Sequence, residues 1–213
     1  NASGQKCSAQ SILFMHKNWE QDLIPRLIDL ASKRKLQDLD IGPVLTWTNP
    51  QMKEHIDSLL KIPGSKLLLG GKELTNHSIP SVYGSLEPTA IQIPIEVLLT
   101  DDFKKITKEV FGPFQIVVVY TDKEIGIVKD TLENITQNLT AAIVSNDVFF
   151  QQDLLANTVN GTTYTGMKAR TTGAPQNHWF GPSGDPRSAG IGTPEAIINT
   201  WSSHREIIKD VGP

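Results

Sequence analysis

The 213-residue sequence contains one cysteine, Cys7. A single thiol excludes an intrachain disulfide and any metal site built from several cysteines. No apolar run approaches the roughly 20 residues that a membrane-spanning helix needs. Neither sign of charge dominates, since 20 Lys and Arg against 23 Asp and Glu leave a net charge of −3. That balance gives no electrostatic footprint for nucleic acid or an anionic membrane surface. The five histidines, His16, His55, His77, His178 and His204, show no metal-ligand spacing. Neither a G-x-G-x-x-G fingerprint nor a Walker loop occurs. What is present is ordinary for a globular protein, with 38% hydrophobic and 20% charged residues in a chain long enough to bury a sizeable core. The chain opens Asn1-Ala2-Ser3 rather than with Met, only a few residues before its first motif. Asn1 is therefore expected to be an internal position of a longer protein. Five N-x-Ser/Thr sequons, at Asn1, Asn76, Asn134, Asn138 and Asn160, follow from the abundance of Asn and Thr and carry no case for glycosylation.

Helix signals recur along the chain. Asn49-Pro50 reads as a cap followed by Pro at the first helical position, with Met52, Ile56, Leu59 and Leu60 on one face. Thr121-x-x-Glu124 reads as a capping box ahead of Ile125, Val128, Leu132 and Ile135. Asp147 is expected to cap a helix through Ala156, and Thr193-Pro194-Glu195 to open another. An earlier helix is expected over 23–35, with Leu23, Leu27 and Leu30 inward and Pro25 confined to its first turn. Between them lie apolar runs over 66–69, 114–120 and 141–144. Runs that are apolar throughout predict strands buried on both faces, and their alternation with helices predicts an α/β fold with a largely parallel sheet. Residues 166–192 break this pattern, being rich in Gly, Pro, Ser and Thr around Trp179 and Phe180, and read as a long functional loop.

Two segments carry candidate chemistry. Cys7 sits among small residues in Gly4-Gln5-Lys6-Cys7-Ser8-Ala9, which leaves room for a substrate to reach the sulfur. Read alone, it is more readily a buried, inert thiol. Glu109-Val110-Phe111-Gly112-Pro113 places an acid and an aromatic beside a Gly-Pro bend, an arrangement suited to a ribose and a flat ring. Read alone, it is more readily a helix-to-strand connection with a solvated Glu. His178 lies in the long loop, where a ligand contact and a structural role are both open.

Together these pieces resemble the aldehyde dehydrogenase superfamily. Gly4-Gln5-Lys6-Cys7 is similar to its G-Q-x-C nucleophile motif, and Glu109-Val110-Phe111-Gly112-Pro113 to its E-x-F-G-P cofactor motif. Asn160-Gly161-Thr162-Thr163 and the Phe180-Gly181 loop resemble its closing segments. Residues 173–187 and 189–196, with Ile41-Gly42-Pro43-Val44-Leu45 and Ile62-Pro63-Gly64-Ser65-Lys66, resemble the plant-type Δ1-pyrroline-5-carboxylate dehydrogenase branch. The wider family's P-F-G-G is here Trp179-Phe180-Gly181-Pro182 with residues added after it, so the general pattern does not transfer within that loop.

The resemblance implies a three-layer α/β catalytic domain over residues 1–213, with the cofactor domain, general-base glutamate and oxyanion asparagine upstream. It implies NAD-dependent oxidation of an aldehyde, in this branch glutamate γ-semialdehyde, through a thiohemiacetal and a thioester on Cys7. Glu109 would then hold the nicotinamide ribose, and Phe111 would pack near the nicotinamide. Ser8, with backbone near Ala189 and Gly190, would anchor the substrate carboxylate. No metal is implied. A homo-oligomeric, mitochondrial full-length enzyme is expected, and an isolated chain without turnover. Two other readings stay open from the residues: a cysteine hydrolase pairing Cys7 with a histidine, and a non-catalytic interaction domain with Cys7 covered.

Overall fold

The computed structural model describes residues 2–38, 40–136 and 138–171, and the backbone of residues 178–180 and 189–191. In chain order the elements are β1 (Ile12–His16), α1 (Glu20–Ser32), α2 (Asn49–Leu60), β2 (Lys66–Leu69), β3 (Thr89–Ile93), α3 (Phe103–Ile106), β4 (Phe114–Tyr120), α4 (Ile125–Asn134), β5 (Thr140–Ile143), α5 (Val148–Ala156), β6 (Thr162–Thr165), β7 (His178–Phe180) and β8 (Ala189–Ile191). They divide between two compact units, Asn1–Thr131 and Leu132–Pro213. The alternation of helices and apolar strands thus gives the mixed α/β fold with a mostly parallel sheet that the sequence predicts.

The first unit is built on a four-stranded sheet ordered β1-β4-β3-β2. Both neighbours of β4 run parallel to it, with Phe14 opposite Val118 and Ile91 opposite Ile116. The register separates two faces. Ile91, Ile93, Ile116 and Val118 point to one, and Met15, Ala90 and Val117 to the other, all of them buried. Fully burying such a side chain contributes about 1.5–3 kcal/mol, which suits the β-branched run from Ile116 to Val119 within β4. Ile24 and Leu27 of α1 cover the Met15 face. Glu20, at the start of α1, accepts from Gln92 Nε2 at 3.2 Å and pairs with Lys17, which holds its carboxyl below the usual range. On the opposite face His55 of α2 meets the Phe114 ring edge-on at 5.6 Å. Helices therefore flank the sheet on both sides.

Several expectations need correction. β2 is not buried on both faces: it is an edge strand, antiparallel to β3, and Lys66 and Leu67 are exposed. Its apolar run reflects one covered face and a register slip between Leu67 and Leu69. Helix α1 begins at Glu20, so Pro25 lies well inside it. The carbonyl of Gln21 that loses its partner there is on an exposed residue, where water can replace the missing bond. The inward stripe is Ile24 and Leu27, while Leu23 and Leu30 are exposed. The cap of α2 is Thr48 rather than Asn49. Thr48 donates from its N–H and its hydroxyl to Gln51 Oε1, each at 2.9 Å. Asn49 is drawn away to Ser85, accepting from its N–H at 2.6 Å and donating to its Oγ at 3.0 Å. On the inner face of α2, His55 is buried beside Met52, Ile56 and Leu59, whereas Leu60 is exposed.

The second unit contains β5 and β6, paired in parallel, and α5 between them in sequence. Asp147 caps α5 as predicted, accepting from Phe149 N–H and Phe150 N–H at 2.9 and 3.1 Å. The Thr121–Glu124 capping box also forms, through Glu124 Oε2 at 2.8 Å from the Thr121 N–H and hydroxyl. The loop reading of 166–192 changes, because β7 and β8 form an antiparallel pair inside it. The helix expected at Thr193 lies outside the described residues. Among the described residues, no helix is long and apolar enough to cross a membrane.

His55 generates a prediction about acid stability. It is 7% exposed, its ring lies between Trp47 and Phe114, and its Nε2 has no hydrogen-bond partner. Burial, reinforced by Lys108 and Lys105, pushes its pKa down from 6.5 to about 4. Above pH 6.5 both folded and unfolded chains carry it neutral, and stability is at its full value. As pH falls below 6.5 the unfolded chain takes up a proton that the folded chain refuses, until both are protonated near pH 4. The loss between pH 7 and 5 comes to about 2 kcal/mol. Urea midpoints at the two pH values should show this drop in the native chain and a drop smaller by about that amount in His55→Phe. Equal drops in both proteins contradict the assignment.

Candidate active site

Cys7 is exposed. It occupies a turn closed by Ala9 N–H donating to the Lys6 carbonyl at 2.9 Å, just ahead of β1. Small Ser8 and Ala9 permit that tight turn, and β1 begins soon after it. Ser8, next in sequence, is buried. The turn is anchored from upstream. Ser3 Oγ accepts from Gly42 N–H at 2.6 Å. The Gln5 carboxamide donates from Nε2 to the Pro43 carbonyl at 2.8 Å and accepts on Oε1 from Leu45 N–H at 2.8 Å. Between those two contacts Val44 is fully buried, and it exchanges two 2.8 Å backbone bonds with Gly84.

The two candidate motifs meet at their glycines. Gly4 has φ +73°, and a Cβ built on it would lie 2.0 Å from the Gly112 carbonyl oxygen. Only a residue without a side chain fits so close to another backbone. Gly112 in turn lies over Val44, whose methyls would sit 3.3 Å from any Cβ placed there. The Cys7 segment, segment 42–45 and the Glu109–Pro113 segment therefore interlock at close quarters. Pro113 continues the junction into the sheet, its carbonyl accepting from Thr89 N–H at 2.8 Å.

Along the Glu109–Pro113 segment, burial alternates. Glu109 is exposed, Val110 is buried as the anchor, and Phe111 is half-buried. Nearby protein still crowds Glu109 enough for desolvation to push its carboxyl above the ordinary range. Lys108, one residue before it, lies 4.9 Å above the Trp47 ring. An exposed carboxylate and a partly open ring, two residues apart beside a bare glycine backbone, fit the ribose hydroxyls and flat ring of a dinucleotide.

Other predicted positions are placed as follows. Ala189 and Gly190 belong to the second unit, on β8, paired with Phe180 and Trp179. His178 lies on β7. The described histidines have engagements away from Cys7. His16 Nδ1 accepts from Asn18 N–H, His77 Nδ1 accepts from Ile79 N–H, and His55 is enclosed by rings. The dyad that a hydrolase requires is thus not formed by His16, His55 or His77. Cys7 is open, opposite to the covered thiol that a non-catalytic domain predicts. Among the described residues, no cluster of His, Cys, Asp and Glu could hold a metal. Sequence reasoning missed the roles of Ser3, Gln5 and Val44. The signal available was the glycine in each motif, since paired glycines often mark close backbone approach.

Comparison with known proteins follows the same lines. The family model described as aldehyde dehydrogenase family matches residues 1–188. The chain is 62% identical to the mitochondrial Δ1-pyrroline-5-carboxylate dehydrogenase 12A1 of Arabidopsis thaliana, over 99% of this chain and 38% of that protein. It is 61% identical to a probable aldehyde dehydrogenase of Linum usitatissimum, over 99% of this chain and 39% of that protein. It thus spans well under half the length of these relatives. The fold is similar to that of aldehyde dehydrogenase 21 from Physcomitrella patens, solved with the product succinate. That match has a TM-score of 0.67 and 20% identity over 84% of this chain and 35% of the other. A Bacillus cereus aldehyde dehydrogenase solved with NAD+ gives a TM-score of 0.64 and 19% identity, over 84% of this chain and 34% of the other.

The glycine junction yields a paired prediction. Gly4→Ala forces a methyl into the Gly112 carbonyl and should destabilise the chain by more than about 2 kcal/mol. Gly126→Ala, at an exposed helical site with nothing within 4 Å of the new methyl, should instead stabilise by about 0.5–1 kcal/mol. Denaturant titration of both variants checks the contrast, and a Gly4→Ala protein as stable as the native chain would remove the junction.

Proposed function

The chain belongs to the aldehyde dehydrogenase family, and from that premise we propose that it is the nucleophile-bearing part of an enzyme that oxidises an aldehyde to a carboxylate with NAD. One observation carries the reading. The exposed thiol of Cys7 is on a segment whose Gly4 backbone is pressed against Gly112 of the segment bearing Glu109 and Phe111. In this reading the nucleophile and the cofactor contacts share one junction rather than two independent loops.

In this reading the Cys7 thiolate attacks the aldehyde carbon and forms a thiohemiacetal, with the Cys7 backbone N–H donating to the developing oxyanion. The turn's closing bond uses the Lys6 carbonyl and the Ala9 N–H, so it leaves the Cys7 N–H to that task. When bound, the nicotinamide supplies a hydride acceptor. The resulting thioester on Cys7 is hydrolysed by water, and covalent catalysis divides one hard oxidation into two easier steps. Glu109 holds the ribose hydroxyls, and Phe111 lies beside the nicotinamide. Ser8 contributes to anchoring a substrate carboxylate. The 62% identity to the Arabidopsis relative supports glutamate γ-semialdehyde as the aldehyde, NAD as the dinucleotide and the mitochondrion as the location. The base for hydrolysis and the main cofactor fold belong to the remainder of a longer protein, in which the chain works within a homo-oligomer.

The test uses the chain joined to its upstream region. Nicotinamide reduction is followed with glutamate γ-semialdehyde and with simple aldehydes. Cys7→Ser should lower turnover by about a thousandfold or more, whereas retention of activity removes Cys7 as nucleophile. Glu109→Gln should raise the KM for NAD by about tenfold to a hundredfold with a much smaller change in kcat. Because desolvation raises the Glu109 pKa, NAD binding should weaken on acidification at a higher pH than an ordinary carboxylate would produce.

A further inference from the structure

We propose that Gln5 is a positioning residue for Cys7, acting through a two-pronged hydrogen bond to the backbone on either side of Val44. The proposal rests on the reading of Cys7 as the nucleophile. Cys7 itself lies on an exposed turn closed by a single backbone bond, held downstream by buried Ser8 and β1 and upstream by an anchor just before it. That anchor is Gln5. Its Oε1 accepts from Leu45 N–H at 2.8 Å, and its Nε2 donates to the Pro43 carbonyl at 2.8 Å. Nε2 also reaches the Ala2 carbonyl at 3.3 Å, which folds the segment back on itself.

The partner of this clamp is immobile. Val44 is fully buried, and both its N–H and its carbonyl are bonded to Gly84 at 2.8 Å. Val44 also packs beneath Gly112, against which Gly4 is pressed. Gln5 thus links the turn to the backbone strip that supports the Glu109–Phe111 segment. A side chain at this position must donate and accept at once, without charge, across the distance between Pro43 O and Leu45 N. Glutamine does so. Glutamate offers only acceptors while ionised, and methionine keeps the volume with neither function. Displacing a nucleophile by about 1 Å costs on the order of a hundredfold in rate even when the substrate still binds. That loss separates positioning from simple support of the fold.

The experiment uses the full-length protein with two variants, Gln5→Met and Gln5→Glu. Thermal melts and hydrogen exchange at Val117 and Val118 report the core, exchange at Leu45 and Ala9 reports the clamp, and aldehyde turnover reports positioning. In Gln5→Met, kcat should fall about tenfold to a hundredfold while KM for the aldehyde stays within about threefold. Leu45 and Ala9 should exchange about tenfold faster with Val117 and Val118 unchanged. Gln5→Glu keeps the acceptor for Leu45, so it should preserve Leu45 protection and still lose kcat. Unchanged kcat in both variants overturns the proposal. So does a loss of kcat that only tracks lost core protection or lost folded protein. If the native enzyme shows no Cys7-dependent oxidation, the dehydrogenase reading fails on its own. The clamp is then judged by exchange alone, supported by faster Leu45 and Ala9 exchange in Gln5→Met and overturned by its absence.

Discussion

Two backbones separated by about a hundred residues come together where Gly4 faces the carbonyl of Gly112, at a spacing that admits no side chain. Much of the first unit can be understood from this contact. Gly112 must be held in place, which Val44 does from below and Pro113 does by bonding into β3. Gly4 must take a left-handed conformation, which the bonds of Ser3 and Gln5 to segment 42–45 secure. Cys7 then projects from a turn whose upstream end is fixed to the same backbone that carries Glu109 and Phe111. The sheet supports the arrangement from behind, since β1 follows the Cys7 turn directly, β4 follows Pro113 directly, and the two strands are parallel neighbours.

The core explains why this junction is stiff. Val117, Val118, Ile91 and Ile93 are fully buried, so neither β3 nor β4 can shift without opening a cavity. Several polar residues are buried alongside this core, His55 among them. His55, enclosed by Trp47 and Phe114, sits on the helix that covers the Phe114 face, with Lys108 stacked over Trp47 nearby. Its neutral form is compatible with that enclosure and its charged form is not. The face of the sheet nearest the Glu109 segment is thus stabilised by a group that tolerates neutral pH better than acid.

Much of this was legible in the residues. The β-branched run of β4 announced an interior strand, and Asp147 and the Thr121–Glu124 pair announced the caps that form. The motifs around Cys7 and Glu109 announced the family. What escaped was decided by neighbours distant in sequence. Apolar β2 is an edge strand because β3 covers only one of its sides. Asn49 fails to cap α2 because Ser85, 36 positions away, competes for its side chain. Pro25 is tolerated inside α1 because that turn is exposed. Gln5 stood in the Gly4–Cys7 motif with no role of its own, since nothing local reveals that Pro43 and Leu45 are its partners. The strand pair β7–β8 was hidden by composition, because Gly and Pro dominate the residues around it.

The central claim is that Cys7 forms a covalent bond to the substrate beside the cofactor segment. The most direct measurement mixes the full-length protein with aldehyde and NAD, quenches it with acid within the first turnover, and weighs the peptide containing Cys7. The account predicts an acyl adduct on Cys7 whose mass is that of the substrate acyl group and which forms only when NAD is present. A Cys7 peptide left unmodified while the aldehyde is being oxidised would contradict it.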